Sequence, residues 1–425
     1  MSPILRNSIL YGGERVLFLL IGIVSNALIA RSLTIEDFGL LNTAYSAVGL
    51  LGFLFGMGVE LSLIKLIIKD KTDALTCVAA GTLIRLLGSM FAIILFFIVI
   101  NGRENSTLVE ASAFLIIASI LNSFALLDCV FQANNDGKSS SFSKLFSRVV
   151  ALLFQMSVAY ISPDLVLFAM SNLVMTISLL LSQLYLIRNY NLARINNSKL
   201  KNYTSNLYKK SWPIALSSVA VSVLLQSDIL ILSILRSSEE VGIYSSVTRL
   251  LIPAGFVAYA ISQAYYPSLI KKKESRKDYE NQLVNLMTIL LAVSLLGVVF
   301  INLLSSEILT LLYGVKYSEA SNVFNVLSFT LILTYYGASS SKALIIDNYH
   351  MHELYKNVIA AVINVLLNLY LIEKMGITGA ALSSIIALSL ANCFYFLLIK
   401  KLRYIFKAQV KSVCRLVLLK IDGQN

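Results

Sequence analysis

Long apolar segments follow one another along almost the whole chain, and they restrict what it can fold into. Twelve of them are long enough for a bilayer core, which takes about 20 apolar residues per helix. They lie at residues 9–30, 41–64, 76–100, 111–132, 143–161, 165–187, 212–235, 244–269, 284–305, 321–341, 354–373 and 378–399. Because these segments are continuously apolar, they exclude the alternating strands of a membrane barrel. The sequence therefore predicts an all-α integral membrane protein with about twelve transmembrane helices.

Composition supports the same class and argues against several kinds of enzyme. Only 14% of the residues are charged, whereas soluble domains carry about 25%. The two His and four Cys residues show no metal-ligand spacing and no disulfide framework, so we expect no metal site. A GxxxxGK[ST] loop for ATP phosphates is absent from the sequence. We therefore expect no cofactor and no catalytic residues.

Basic residues are concentrated on one side of the predicted membrane. Of the 35 Lys and Arg residues, 27 fall in the termini and in or beside the connection after every second segment, and Arg148, Lys342 and Lys356 are counted among them. The opposite connections hold five: Arg31, Arg103, Arg236, Lys316 and Lys374. Because basic connections stay on the cytoplasmic side, both termini are predicted to be cytoplasmic. The net charge of +12 then needs no nucleic acid as a partner.

The first apolar segment resembles a secretory signal peptide at first sight. However, it carries Glu14 and Arg15, continues to about Ala30, and has no small-x-small cleavage site. We interpret it as an uncleaved first span.

Two stretches of the chain are nearly the same. DFGLLNTAYSAV begins at Asp37, and EVGIYSSVTRLL begins at Glu240, which is 203 residues later. Since each half holds an even number of spans, both halves enter the membrane from the same side and form parallel repeats. The glycine of each stretch, Gly39 or Gly242, permits a tight turn or a close approach, and the acids favour the start of a helix. The pattern predicts two parallel six-helix bundles around a central cavity.

Polar stretches divide the chain into four parts. Residues 1–187 form an N-terminal six-helix bundle, 188–211 a cytoplasmic linker, 212–399 a C-terminal six-helix bundle, and 400–425 a tail. In the tail, basic residues recur at helical spacing, at Arg403, Lys407, Lys411 and Arg415. We predict a basic amphipathic helix on the anionic inner leaflet, with membrane lipids as its partners.

Two longer stretches carry a resemblance to a known family. ALIARSLTIEDFGLLNTAYSAVGLLGF resembles the first-to-second helix signature of polysaccharide flippases of the Wzx type. WPIALSSVAVSVLLQSDILILSILRSSEEVGIYSSVTRL resembles their seventh-to-eighth helix signature, with its Pro, its intramembrane Asp and its Gly-x-Tyr turn. The family is related to the multidrug and toxin exporters and to the lipid II flippases. One departure is that Ile229 follows Asp228, where the family often has a basic residue, so Asp228 needs another partner.

The resemblance implies a function. Members of the family turn an undecaprenyl-pyrophosphate-linked oligosaccharide over the bacterial cytoplasmic membrane, for O-antigen or another surface polysaccharide. It also implies a lipid-linked oligosaccharide as the substrate and a polysaccharide polymerase with chain-length machinery as partners.

Three arginines lie inside predicted spans, where an ionisable residue by default faces a cavity or a partner: Arg15, Arg85 and Arg249. At the repeat offset, the corresponding positions hold Ser218, Thr288 and Ser46, so the charges are not duplicated. Asymmetric cations suit a cargo with one anionic end, and arginine binds phosphate oxygens bidentately. We predict that these arginines line the lumen and bind the pyrophosphate. Alternatively, Arg85 forms a structural ion pair and Arg249 reaches the interface.

Four acids in predicted spans are candidates for ion coupling: Asp228, Glu60, Asp128 and Glu14. Asp228 could instead pair with an arginine, Asp128 could reach an interface, and Glu14 could be a surface charge. Glu60 corresponds to Gln263 at the repeat offset. Candidates for conformational hinges are Gly52, Gly56, Pro253 and Gly255, and the last two are predicted to interrupt the eighth span. Such residues also serve close helix packing.

Two other functions remain open from the sequence. A multidrug exporter of the related family would favour an acid-lined pocket for organic cations, and the three intramembrane arginines argue against it. A membrane polysaccharide polymerase or ligase needs an extracytoplasmic domain for its sugar acceptor, whereas the longest outward connection, around 306–320, is short. A flippase is therefore the favoured function, and not an enzyme.

Overall fold

The computed structural model describes residues 3–100, 106–190 and 192–422, nearly all of them helical and none in a strand. Arg103 lies outside the described residues, as do the side chains of Arg6 and Lys420. The chain divides into two compact units, Met1–Gln226 and Ser227–Asn425. The boundary falls inside one long helix, whose first turns come from the polar segment 188–211.

The first unit is built from α1 to α9 and most of α10. These helices are α1 Pro3–Ser32, α2 Ile35–Leu50, α3 Gly52–Gly56, α4 Val59–Lys69, α5 Ala74–Ile100, α6 Ser106–Leu121, α7 Asp128–Ala133, α8 Gly137–Ile161, α9 Leu165–Ile187 and α10 Asn197–Leu235. Its core includes fully buried apolar residues where α4, α5 and α7 meet: Val59, Leu63, Cys77 and Val130.

The second unit holds the end of α10 and eight further helices. They are α11 Ser238–Lys271, α12 Arg276–Tyr313, α13 Ser321–Ser328, α14 Thr330–Ile346, α15 His350–Met375, α16 Ile377–Ser389, α17 Tyr395–Leu398 and α18 Arg403–Asp422. A π-helical turn, Leu390–Phe394, joins α16 to α17. Fully buried side chains of α12 lie at the centre of this unit: Leu283, Met287 and Leu290.

The number of spans is close to the predicted twelve. Within the described residues, ten helices are long and apolar enough to cross a membrane, and α2 with α3 and α4 adds an eleventh, bent by 49°. The predicted span 321–341 differs, because the helix is divided at Phe329 into α13 and α14, and neither part reaches 18 residues. The all-α, multi-pass membrane fold is confirmed.

The repeated stretches begin two helices in the same way. Thr34 caps α2 by accepting a hydrogen bond from the backbone N–H of Asp37 at 3.0 Å. Ser237 caps α11 by accepting one from the backbone N–H of Glu240 at 3.3 Å. A hydroxyl followed three residues later by an acid is the signature of a helix start. Gly39 and Gly242, the glycines of the two stretches, are buried inside these helices and do not form a turn.

The second span, formed by α2, α3 and α4, is broken at two places. The chain bends between α2 and α3 next to Gly52, and Met57 and Gly58 then adopt left-handed backbone conformations. A Cβ at Gly58 would lie 2.8 Å from the backbone of α10 at Ser211 and Ala215, so only glycine fits there. By contrast, α11 continues through Pro253 and Gly255, which corrects the predicted interruption. Neighbouring helices in a membrane protein tolerate such a proline.

The C-terminal helix α18 has two faces. Its residues Ile405, Ala408 and Ser412 are buried against the other helices of the second unit. Gln409 donates a 2.7 Å hydrogen bond to the carbonyl of Asn392 in the π-helical turn. The predicted basic residues and Val410 are exposed on the other side. The helix is thus attached to the bundle, and its exposed face remains available to lipid.

Candidate functional site

A polar cavity of about 420 Å³ lies within the first unit, between α2, α3, α4, α5, α6 and α9. Glycines of the bent second span, Gly49, Gly52 and Gly56, line it and leave room for it. Its polar lining residues are Tyr45, Glu60, Arg85, Ser119, Asn122, Asn172 and Thr176. The cavity thus brings together four residues predicted from the sequence: Arg85, Glu60, Gly52 and Gly56.

Arg85 is held at this cavity by three acceptors. Its guanidinium donates to Glu60 Oε1 at 2.7 Å, to the carbonyl of Gly56 at 3.3 Å and to that of Asn122 at 3.4 Å. The carbonyl of Gly56 is available because α3 ends there and helical partners are missing for its last carbonyls. The carbonyl of Asn122 lies where α6 gives way to a 3₁₀ turn. The Arg85 side chain is only 5% exposed. The breaks between helices therefore supply two of the three hydrogen-bond acceptors that hold this intramembrane cation.

Glu60 neutralises Arg85 from an open position. It lies in the first turn of α4, where the helix dipole stabilises a carboxylate, and its side chain is 67% exposed. The predicted lumen cation is therefore one half of an ion pair. Both residues line the cavity, and the acid is the exposed member of the pair.

The opposite wall of the cavity is neutral. Asn172 of α9 donates a 2.6 Å hydrogen bond to the Tyr45 hydroxyl of α2. Together with Ser119 of α6, these groups offer donors and acceptors without charge. Such a wall suits a hydroxyl-rich ligand more than an organic cation.

A second cavity in the first unit, of about 800 Å³, lies between α3, α5 and the beginning of α10. Its lining is mostly apolar, and Lys201 lies at its polar edge. Such a lining suits a hydrocarbon chain. The smaller polar cavity is therefore the candidate site for a charged or sugar-containing head group.

The other predicted residues of the first unit lie apart from the polar cavity lining. Arg15 is exposed and Glu14 half-buried on α1. Asp128 accepts from Lys144 at 2.7 Å, from Gln132 at 2.7 Å and from Ser140 at 2.5 Å. Asp128 therefore joins α7 to α8 through an ion pair.

Arg148 is an intramembrane cation that the sequence prediction assigned to a cytoplasmic connection. It lies 11 residues after the start of α8, about 17 Å along the helix. Its Nη1 is 3.6 Å from the sulfur of Met175, which lines the polar cavity, and its guanidinium is 4.8 Å from the ring centre of Phe18. The helix α8 begins at Gly137, before the predicted start at residue 143, and Asp136 caps it. This capping residue is the signal in the sequence that would have placed Arg148 inside the helix.

Asp136 itself is an ionisable group outside the spans. Burial raises the pKa of its carboxyl, but hydrogen bonds from Ser139 and from the Tyr190 hydroxyl, the latter at 2.7 Å, outweigh burial. The pKa of Asp136 is therefore lower than its ordinary value.

Asp228 of the second unit is buried among neutral donors. Its carboxylate accepts from Tyr244 of α11 at 2.8 Å, from Asn368 of α15 at 2.6 Å, and from Ser384 of α16. Asn364 extends this network by accepting from Ser227 at 2.6 Å. Asp228 has no basic neighbour at position 229, where Ile229 stands, and three other helices supply its partners instead. Arg249 is half-buried on α11 in the same unit.

Comparisons with known proteins agree on one kind of protein. The family of polysaccharide biosynthesis proteins matches residues 4–272. The capsular polysaccharide biosynthesis protein CapF of Staphylococcus aureus is 23% identical over 380 residues, which cover 88% of this chain and 93% of CapF. A Shigella flexneri protein named "Putative O-antigen transporter" is 27% identical over 391 residues, which cover 86% of this chain and 90% of that protein.

Solved structures share the fold. The lipid II flippase MurJ in an inward closed conformation matches with a TM-score of 0.74 at 15% identity, over 97% of this chain and 93% of MurJ. An inward-facing multidrug resistance MATE family transporter of the MOP superfamily matches with a TM-score of 0.72 at 14% identity, over 95% of both chains. At such identities the likeness concerns the fold alone.

Proposed function

Since the chain belongs to the family of polysaccharide biosynthesis proteins, we propose that it turns a lipid-linked oligosaccharide from the inner to the outer leaflet of the bacterial cytoplasmic membrane. The lipid carrier is undecaprenyl pyrophosphate, and the product is O-antigen or another surface polysaccharide. The observation that carries this proposal is the polar cavity with Arg85 inside an apolar bundle. Relatives named for capsule synthesis and O-antigen transport support it.

The cavity suits the polar part of such a substrate. The lipid tail stays in the hydrocarbon, whereas the sugar and the pyrophosphate need a polar path. Arg85 binds phosphate oxygens in the place of the Glu60 carboxylate, and its planar fork fits them bidentately. When the phosphate leaves, Glu60 returns to Arg85, so the site is not left with an unpaired buried cation. This exchange keeps binding weak enough for release. Arg15 and Arg249 are the further cations of the path.

The energy source belongs to the same proposal. Asp228, Glu14, Asp128 and Glu60 are the candidates for coupling to a proton or sodium gradient. Consumption of the product by a polymerase on the outer side also draws the substrate across.

Both termini lie in the cytoplasm, where 27 of the 35 basic residues were assigned. Several residues of that set lie inside helices, Arg148, Lys342 and Lys356 among them, and without these three the asymmetry is still 24 against five.

Deletion of the gene tests the proposal. We expect surface polysaccharide to disappear while complete lipid-linked units accumulate on the inner leaflet, and the plasmid-borne gene to restore display. Loss of the lipid-linked unit itself would identify an enzyme of its synthesis. Normal polysaccharide with altered drug resistance would identify a multidrug exporter, the function of the MATE transporter with a similar fold.

A further inference from the structure

A lysine near the end of α14 lies against two tyrosines of α11, a helix long and apolar enough to span the membrane. The Lys342 ammonium of α14 donates a 2.6 Å hydrogen bond to Oε1 of Gln263 on α11. It also lies 5.0 Å from the ring centre of Tyr259 and 5.2 Å from that of Tyr266, within cation–π distance. Among the described residues it has no carboxylate partner within ion-pair distance. A cation held against the aromatic rings of a spanning helix in this way is a candidate for function.

The tyrosines belong to a stripe along α11. Phe256, Tyr259, Gln263 and Tyr266 follow one another at spacings of three, four and three residues, which places them on one face. The rings of Phe256 and Tyr259 are 6.3 Å apart. The stripe is about 15 Å long at the helical rise of 1.5 Å per residue. Tyr259 is 54% exposed, so its ring is open to a ligand.

The chemistry of this stripe fits neither lipid nor interface. A hydrocarbon chain offers Lys342 and Gln263 no partner beyond the hydrogen bond between them, so their remaining polar atoms would lose hydration without compensation. Tyrosines of a membrane interface lie at the head groups. Tyr266 lies five residues, about 8 Å, before the end of α11 at Lys271, which is within reach of the head groups, whereas Tyr259 lies 12 residues, about 18 Å, before that end and is too deep for them. A pyranose ring, in contrast, offers an apolar C–H face for an aromatic ring and hydroxyls for the amide and ammonium.

We propose that Lys342, Gln263, Tyr259 and Tyr266 form a saccharide-binding site for the oligosaccharide of the lipid-linked substrate. Tyr259 stacks on a sugar ring, and Lys342 and Gln263 bind its hydroxyls. The proposal rests on the proposed function and adds the residues that hold the sugar.

The internal repeat supports this assignment. Gln263 occupies the position that corresponds to Glu60. In the first unit this position holds an acid, Glu60, which accepts a hydrogen bond from Arg85. In the second unit it holds a neutral amide, Gln263, which accepts one from Lys342. Glu60 and Arg85 suit exchange with an anion, whereas the amide, the ammonium and the aromatic rings suit a hydroxyl-rich ligand. The two related positions therefore serve two parts of one substrate.

Binding of the lipid-free sugar tests the proposal separately from flipping. The probe is the oligosaccharide released by mild acid from the host's own lipid-linked units, without lipid or pyrophosphate, titrated into the purified full-length protein. We expect Tyr259→Ala and Lys342→Met each to weaken binding about tenfold, the order of one lost stacking or charge-assisted contact. Tyr259→Phe keeps the ring and should bind like the wild type.

Tyr370 is the matched control, because it is an exposed tyrosine with a lysine, Lys374, 4.2 Å from its ring centre on α15. Tyr370→Ala should leave binding unchanged. If Tyr259→Ala does not accumulate, Lys342→Met and Gln263→Ala decide the question.

Surface display in the deletion strain separates the two proposals. Wild-type sugar binding by Tyr259→Ala or Lys342→Met, or no binding by a wild type that restores display, overturns the saccharide site and leaves the flippase standing. A wild type that does not restore display overturns the proposed function itself.

Discussion

Replacing the members of the Glu60–Arg85 ion pair singly and together separates a binding role from a structural one. Glu60→Gln removes the carboxylate and leaves the buried guanidinium with two long carbonyl contacts and a neutral amide. Breaking a fully buried pair costs about 3–5 kcal/mol. Because Glu60 is 67% exposed and two carbonyl acceptors remain, the cost here should lie below that range, at less than about 3 kcal/mol. Arg85→Leu leaves a carboxylate that is open to the cavity, so its cost should be smaller, about 1 kcal/mol for the lost pair.

The double variant Glu60→Leu/Arg85→Leu is the decisive one. Replacing both members of a buried ion pair by apolar residues is often neutral or stabilising, so we expect the protein to accumulate and to unfold at about the wild-type temperature. Without Arg85 the pyrophosphate loses its cation, and surface polysaccharide should be lost. Full display by the double variant would refute the binding role and leave the pair as packing.

The assays are thermal unfolding of the purified protein and display of surface polysaccharide in the deletion strain. Arg85→Lys keeps the charge but loses the bidentate fork, so partial display is expected from it. The control is the Lys199–Asp73 pair of the same unit, with its atoms 2.6 Å apart and outside the cavity lining. Replacing that pair by leucines should leave display unchanged.

Three further predictions concern packing, coupling and pH. Gly88→Ala should lower the amount of folded protein, because its Cβ would overlap a backbone carbonyl of α3, whereas Gly52→Ala meets open space and should accumulate normally. Asp228→Asn should remove the dependence of display on an ion gradient, measured with ionophores, and a dependence that persists would exclude Asp228 from coupling. The pKa of Asp136 is lowered in the folded protein, so its stabilisation is present above its unfolded pKa of about 3.9 and is lost as the pH falls below it. Tyr190→Phe should therefore lower the unfolding temperature more at pH 7 than at pH 3, and an equal effect at both would contradict this.

Local signals in the sequence predicted the fold well. The hydrophobic segments correspond to helices, and the repeat corresponds to two capped helix starts at Thr34 and Ser237. Both features depend on residues within a few positions of each other, so they can be recognised without tertiary contacts. The family resemblance carried by these stretches is also confirmed.

Tertiary contacts explain what the sequence left open. Arg85 and Glu60 were both singled out, but their pairing depends on how the breaks around α3 place the two helices. Arg148 and Lys342 were assigned to connections, because a hydropathy window places charged helix ends outside the membrane. The role of Gly58 could not be predicted, because its left-handed conformation and its contact with α10 arise only in the fold.

Reconstitution tests the central claim most directly. Lipid-linked oligosaccharide extracted from the deletion strain is placed in both leaflets of vesicles with the purified protein, and an impermeant oxidant modifies the sugars that reach the outside. Vesicles with the wild-type protein should lose nearly all intact substrate, whereas empty vesicles and those with the Glu60→Leu/Arg85→Leu protein should retain the inner-leaflet share. Retention of that share by wild-type vesicles, with the protein folded and an ion gradient applied, would contradict flipping by this chain.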